Sequence, residues 1–383
     1  MIGEMTRSFV GKMGKLNLSQ PYTFPKIQSR ALKYGYANAR VRGMKSTLIK
    51  PAYLDELIKV KTLSAMVELL ERTRYKNELV SLSLKYKGSA LIELACARDF
   101  AVIARKLTKM APKEDVKLVQ ALLKRWDVLD LKTLLNARRA GKTFEEIEPY
   151  LLLVGDLSRA DFEKIARADN DHILEEIKKT ELGKQMLSQN MKSINKSFME
   201  LLKKSITSAD TFFQLQTLLD AYACVFVDSS FTTNNPDVEQ VRKVFRKEMD
   251  AKNIVIIERM KAKKMDRKEI GNYLIPGGTL DKSTSDSIIS SESLQDTIKI
   301  ARGKLRGLPA TGDKPTLTDF EIALEKAIAA EKLKVFSRSI LSIGVILGFI
   351  LLKEEELNNI RKIAKAKEFN IPEDEVRKML VIV

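Results

Sequence analysis

Along much of this chain apolar residues recur at intervals of three and four, the period of a helix with one buried face. Tyr34, Ala37, Val41, Met44 and Leu48 step by 3, 4, 3 and 4. Longer runs of the same kind predict helices over Leu82–Leu107 and Phe198–Phe226, neither interrupted by proline. Thr318 with Glu321 predicts the cap of a third, from Phe320 to about Phe349. The greasiest stretch, Ile340–Leu352, has 13 residues between Arg338 and Lys353. A membrane-spanning helix needs roughly 20, so this stretch predicts a buried core helix. Gly344 and Gly348 form a GxxxG pattern, a weak signal in so short a segment. Irregular chain is expected at Asn234–Pro236, Ser283–Ser293 and Gly303–Pro315.

The pattern repeats. Shifted by 123 positions, residues 131–177 fall on 254–300 without gaps: Leu131 on Ile254, Arg138 on Lys261, Glu146 on Glu269, Tyr150 on Tyr273, Gly155 on Gly278, Ile165 on Ile288. Each unit predicts a helix ending in basic residues, which suit its negative end. A second helix follows, opened by a capping box (Thr143 with Glu146, Asp266 with Glu269), then a glycine turn and a third short helix. A further copy is cut in two. Its first half lies at the C-terminus, where Ile360 and Val376 keep the 16-residue spacing of Leu131 and Ile147. Its second half lies near the N-terminus, where Leu54, Ile58, Val67, Leu70 and Thr73 fall on Asp161, Ile165, Leu174, Ile177 and Thr180 at an offset of 107, the first pair a mismatch. The expected architecture is all-α with three similar helical lobes: 34–120 with 353–383, then 121–240, then 241–352, preceded by a basic extension over 1–33.

Composition agrees with helices. The 383 residues hold 17 Gly and 10 Pro, well below average usage of about 7% and about 5%, so turns are few. Charge is unevenly spread: residues 1–50 carry ten Lys and Arg against Glu4 alone, +9 of a net +17. Such an end invites an acidic protein, an anionic membrane surface or nucleic acid. Cys96 and Cys224 are too few for a disulfide scaffold and read as small core residues. His172, the single histidine, sits in Asp169-Asn170-Asp171-His172, a polar helix start. No phosphate-binding glycine loop, nucleophile elbow or zinc-protease motif is present. Glu145, Glu146 and Glu148, and likewise Glu354, Glu355 and Glu356, read as helix-start and surface charges. No enzyme, cofactor, metal site or small-molecule substrate is expected. Nucleic-acid binding through the basic end is the alternative function.

Tyr34-Gly35-Tyr36-Ala37-Asn38-Ala39-Arg40-Val41-Arg42-Gly43-Met44-Lys45-Ser46-Thr47-Leu48 resembles the opening signature of one family, the C subunit of archaeal A-type and V-type rotary ATPases, related to the d subunit of eukaryotes. The family pattern reads Y-x-Y-x-N-A-R-V-R-A-M-x-S-x-L, with Gly43 here in place of alanine. Gly348-Phe349, Lys353-Glu354, Glu356 and Asn359-Ile360-Arg361 are similar to its second run, G-F-x-x-x-K-E-x-E-x-x-N-I-R. The resemblance extends from Tyr34 to about Leu380 and leaves residues 1–33 as an extension. It implies a three-lobed helical funnel, peripheral on the cytoplasmic side of the cell membrane. Such a subunit would link central-shaft subunits to the membrane rotor ring, touch the membrane surface only indirectly, and bind no nucleic acid. Arg40, Arg42 and Lys45, on the polar face of the first helix, are the candidate partner-binding residues. The basic residues of the extension could meet anionic headgroups, at about 1 kcal/mol each near such a surface.

Overall fold

The computed structural model describes residues 26–169, 172–187, 212–232, 234–305, 307–312 and 314–381. About 75% is helix, and no strand occurs among the described residues. The order runs α1 (Lys26–Lys45), α2 (Pro51–Lys59), α3 (Leu63–Leu70), α4 (Lys76–Leu82) and the long α5 (Gly88–Met110). Then come α6 (Val116–Leu123), α7 (Arg125–Arg139), α8 (Phe144–Ile147), α9 (Arg159–Arg167), α10 (Ile173–Lys179) and α11 (Glu181–Leu187). The rest is α12 (Phe212–Ser230), α13 (Pro236–Ala262), α14 (Arg267–Ile270), α15 (Lys282–Ser290), α16 (Leu294–Lys304), α17 (Leu317–Arg338), α18 (Ile343–Glu368) and α19 (Glu373–Met379).

The split repeat reappears as three sets of matching hydrogen bonds. In the first set, a carboxylate on a long helix accepts backbone N–H groups from the turn that follows the short helices. Asp127 on α7 takes those of Asp156 (2.7 Å) and Leu157, and Asp250 on α13 takes those of Thr279 (2.9 Å) and Leu280. Glu356 on α18 takes that of Ile49, 307 residues away in the chain. In the second set, one turn later, Asp130 accepts from Leu152 and Leu153 (both 2.9 Å). Asn253 grips both the N–H and the C=O of Ile275, and Asn359 does the same to Val381. In the third set, a cation at the helix end donates to carbonyls of the third helix: Arg138 to Ile165, Lys261 to Ile288, and Lys367 to Ile58 at 2.8 Å. In the third copy the first and third sets join the two ends of the chain, and the second, Asn359 with Val381, lies within the C-terminal end.

Packing groups the molecule differently from the repeats. One core gathers Val128–Met186 with Leu219–Val225, Met249 and Ile275. The other gathers both chain ends with the remainder of α13 and everything through α18. Helix α18 runs unbroken through residues 352 and 353 and is buried along almost all of Ile343–Leu357.

Several elements differ from the sequence reading. The expected helix Phe320–Phe349 is two. Its cap is Thr316 with Asp319, which exchange side-chain and backbone hydrogen bonds, and not Thr318 with Glu321. It ends at Arg338, because Asn38 on α1 holds both the N–H and C=O of Ser342, Leu341 adopts φ 46°, and Ser342 caps a new helix. The chain thus turns back on itself, and the glycines of the GxxxG pattern let α17 and α18 approach: a Cβ on Gly348 would strike the backbone of Phe336. Leu82–Leu107 is also interrupted. Gly88 adopts φ 61°, so α5 begins there. Of the expected Phe198–Phe226 helix, 198–211 lie outside the described residues, as do 1–25 of the basic extension, whose last part is the start of α1.

Glu354, Glu355 and Glu356 are not surface charges. They lie buried in the middle of α18, because side chains of α5, α7, α17 and the start of α4 close over them. Glu354 accepts from Trp126 Nε1 (2.9 Å) and pairs with Arg125; Glu355 pairs with Lys332 at 2.7 Å. Glu356 binds the Tyr75 hydroxyl and the wholly buried Lys353, which also faces Asp99 at 2.9 Å. Each charge of this run ties α18 to a different neighbour.

Candidate partner-binding cavity

Since α7, α13 and α18 occupy equivalent places in the three copies, one face of each can converge on a common space. It does. Lys132, Val255 and Arg361 stand at corresponding positions of the three helices, and all line an open cavity of about 770 Å³. Helices α12 and α17 complete the wall through Asp220 and through Glu321, Leu324 and Glu325.

The wall is charged and almost balanced. Lys132 pairs with Asp220 at 2.6 Å, Arg259 with Glu321 at 2.9 Å, Lys332 with Glu355 at 2.7 Å and Lys362 with Glu325 at 2.6 Å. Lys252 faces Glu248 at 3.4 Å. Burial opposes ionisation of Glu248, but Lys332, Lys252 and Arg125 outweigh it and hold the carboxyl down at about 2. Burial also works against the charge on Lys252, yet Cys224, Glu248 and Asp220 raise its pKa above the usual lysine range. Arg361 has no carboxylate within ion-pair distance among the described residues. Its Nε and the Glu248 Oε2 are buried without hydrogen-bond partners. An unpaired buried donor costs about 1–3 kcal/mol, so a polar partner entering the cavity has groups to satisfy.

The residues expected from the sequence lie elsewhere. Tyr34, Ala37 and Val41 are buried as the stripe of α1, and Arg40, Arg42 and Lys45 are exposed on its other side. Arg42 donates to the Ser339 carbonyl at 2.7 Å and lies 5.5 Å from the Phe336 ring centre; the Lys45 ammonium lies 5.0 Å from the same ring. Both therefore help seat α1 on the α17–α18 corner. Arg40 makes no ion pair or hydrogen bond among the described residues. The sequence reading missed the clamp residues Asp127, Asp130, Asp250, Asn253, Glu356 and Asn359. Their signal was present, an acid followed three places later by Asp or Asn, at the same offsets of 123 and 106 as the apolar matches.

Cys96 and Cys224 are free and buried, and burial pushes the Cys96 thiol up to about 12, leaving it inert. His172 stands exposed at the start of α10. Among the described residues no three His, Cys, Asp or Glu side chains are grouped to hold a metal ion. No helix there is long and apolar enough to cross a membrane.

Residues 37–379 match the family described as ATP synthase (C/AC39) subunit. The chain belongs to that family. Among curated relatives of this C/AC39 chain, the C subunit of the A-type ATP synthase of Methanocaldococcus jannaschii is 24% identical, over 91% of this chain and 86% of its own length. That of Methanosarcina mazei is 26% identical, over 91% and 93%. The C subunit of an ATP synthase is a structural part of a membrane-associated complex. The nucleic-acid alternative finds no support in these matches.

Proposed function

We propose that this C/AC39 chain is the non-catalytic stalk subunit that couples a rotating central shaft to the membrane rotor ring, peripheral to the membrane on its cytoplasmic side. The observation that carries the reading is the charged cavity where three equivalent helices converge. A shaft tip seated there contacts all three copies of the repeat at once, so torque is shared among α7, α13 and α18. Three lobes arranged as a funnel, 34–120 with 353–383, 121–240 and 241–352, suit that task. Long packed helices resist twisting, because their backbone hydrogen bonds are internal and their cores close-packed. Ion pairs along the wall orient a charged partner more than they bind it. Arg40 is the member of the Arg40, Arg42 and Lys45 set left free to meet a partner.

Co-elution with A-type central-shaft subunits on a sizing column at about 0.15 M salt, the physiological ionic strength, tests this. A stoichiometric complex that survives a nucleic-acid competitor is expected, and Arg361→Gln is expected to weaken it while circular dichroism shows the variant folded. Absence of a complex with the unmodified chain overturns the coupling role. Assembly unaffected by Arg40→Glu removes that residue from the interface.

A further inference from the structure

A second pocket lies on the seam where the ends of the chain meet. Ile49 and Leu54 from the N-terminal half, and Glu356 and Asn359 from the C-terminal half, line its 450 Å³, a volume within the range of small-molecule sites. Its wall is apolar, formed by Leu48, Leu54, Leu333 and Leu352, while Arg42, Lys45 and Lys50 supply positive charge. None of these three cations has a carboxylate within ion-pair distance among the described residues. Glu356 does not balance them: it is already bound by Lys353, Tyr75 and the Ile49 N–H. The remaining charges behind it cancel too, since Lys353 and Arg74 both face Asp99. Three uncompensated cations thus stand beside a leucine-lined recess. The positive end of α2, which starts at Pro51, adds to the same field.

We infer that this pocket binds an anionic amphiphile, a phosphate or carboxylate head held by Lys45, Lys50 and the unused Arg42 donors, with its apolar tail on the leucines. A neutral amphiphile gains only the leucine contacts, and a bare anion only the charges. The inference goes beyond the coupling role and stands apart from it, since the pocket shares no lining residue with the central cavity. Binding bridges both chain ends and so stabilises the folded chain in proportion to ligand concentration.

The purified full chain is titrated with dodecyl phosphate below its micelle concentration, with dodecyl maltoside and inorganic phosphate as separate controls. Saturable one-to-one binding of the alkyl phosphate with a rise in melting temperature is expected, and weaker or no binding of either control. The double variant Lys45→Gln, Lys50→Gln removes two exposed cations without carboxylate partners; loss of the Lys45–Phe336 contact lowers its melting temperature without ligand only slightly, and Lys50→Gln alone, which breaks no such contact, leaves it unchanged. The double variant's affinity for the alkyl phosphate is expected to fall about tenfold, since charge-assisted hydrogen bonds are the strong ones. Equal binding of the maltoside, or affinity unchanged in the double variant, overturns the inference. Flotation with phosphatidylcholine vesicles containing phosphatidylglycerol, lost in the double variant, supports it with a bilayer lipid as the source. Binding of the monomeric amphiphile without flotation supports it with a soluble one.

Discussion

The copy of the repeat around α7 and the split copy around α18 solve one problem with opposite electrostatics. Both must hold a returning backbone turn against a long helix, and both use a carboxylate to do so. Around α7 two carboxylates, Asp127 and Asp130, are buried with backbone N–H donors as their partners. Burial outweighs those donors and pushes the Asp127 carboxyl up to about 7 and that of Asp130 to about 6. Around α18 the carboxylate is Glu356, met by the buried ammonium of Lys353, and the second position is the neutral Asn359. A buried charge with a counter-charge is rigidly specified; one with only dipoles stays open to protonation.

Removing the counter-charge should have the largest effect. Lys353→Met strands Glu356 in the core without a counter-charge and leaves Asp99 with Arg74 alone, and breaking a buried pair from one side costs roughly 3–5 kcal/mol. Urea unfolding of the variant measures this. A loss below about 1 kcal/mol would mean that water reaches the site.

Next comes the close approach of the turn. A Cβ on Gly155 would collide with the Asp127 carboxylate, and one on Gly278 with that of Asp250. The split copy carries Leu48 at this place, where the longer Glu356 reaches the turn from farther back. Gly155→Ala is therefore expected to cost about 1–3 kcal/mol, in the range of overpacking. Leu48→Gly creates no clash relief and destabilises instead. Equal melting temperatures for Gly155→Ala and the unmodified chain would break the comparison.

The smallest effect sharpens it. Because the native pKa values of Asp127 and Asp130 lie above the ordinary aspartate value, the folded chain holds more protons than the unfolded one between about pH 4 and pH 7. Stability contributed by these groups is therefore present at low pH and falls as pH rises through that window. Asp130→Asn installs the residue type found at the other two copies and removes one of the titrating groups. Between pH 5 and pH 8 the variant should lose roughly 1–2 kcal/mol less than the unmodified chain. Parallel pH profiles would show that Asp130 does not hold the proton.

The helices were legible because their cause is local. The 3-and-4 stripe of α1, the Thr143–Glu146 capping box and the split repeat all show in residue order, and the structure bears them out in burial and hydrogen bonds. What was not legible depended on distant partners. The break between α17 and α18 comes from Asn38, about 300 residues earlier, taking the backbone of Ser342. Three consecutive glutamates look like a surface until α4, α5, α7 and α17 surround them. The central cavity has no motif at all: Lys132 and Arg361 are cations but Val255 is apolar, and only the offsets of the repeat place them together.

The cut in the third copy also sets an order of events at the ribosome. Ile49 and Ile58 emerge early, but their partners Glu356 and Lys367 are made about 300 residues later. At the usual pace of synthesis the delay is roughly 15–60 s. During that interval the two uninterrupted copies can complete their own bonds, while the apolar faces of α2 and α3 wait exposed. The first helices to be made are thus among the last to be finished, and a nascent chain stopped short of Val381 carries an open, sticky end.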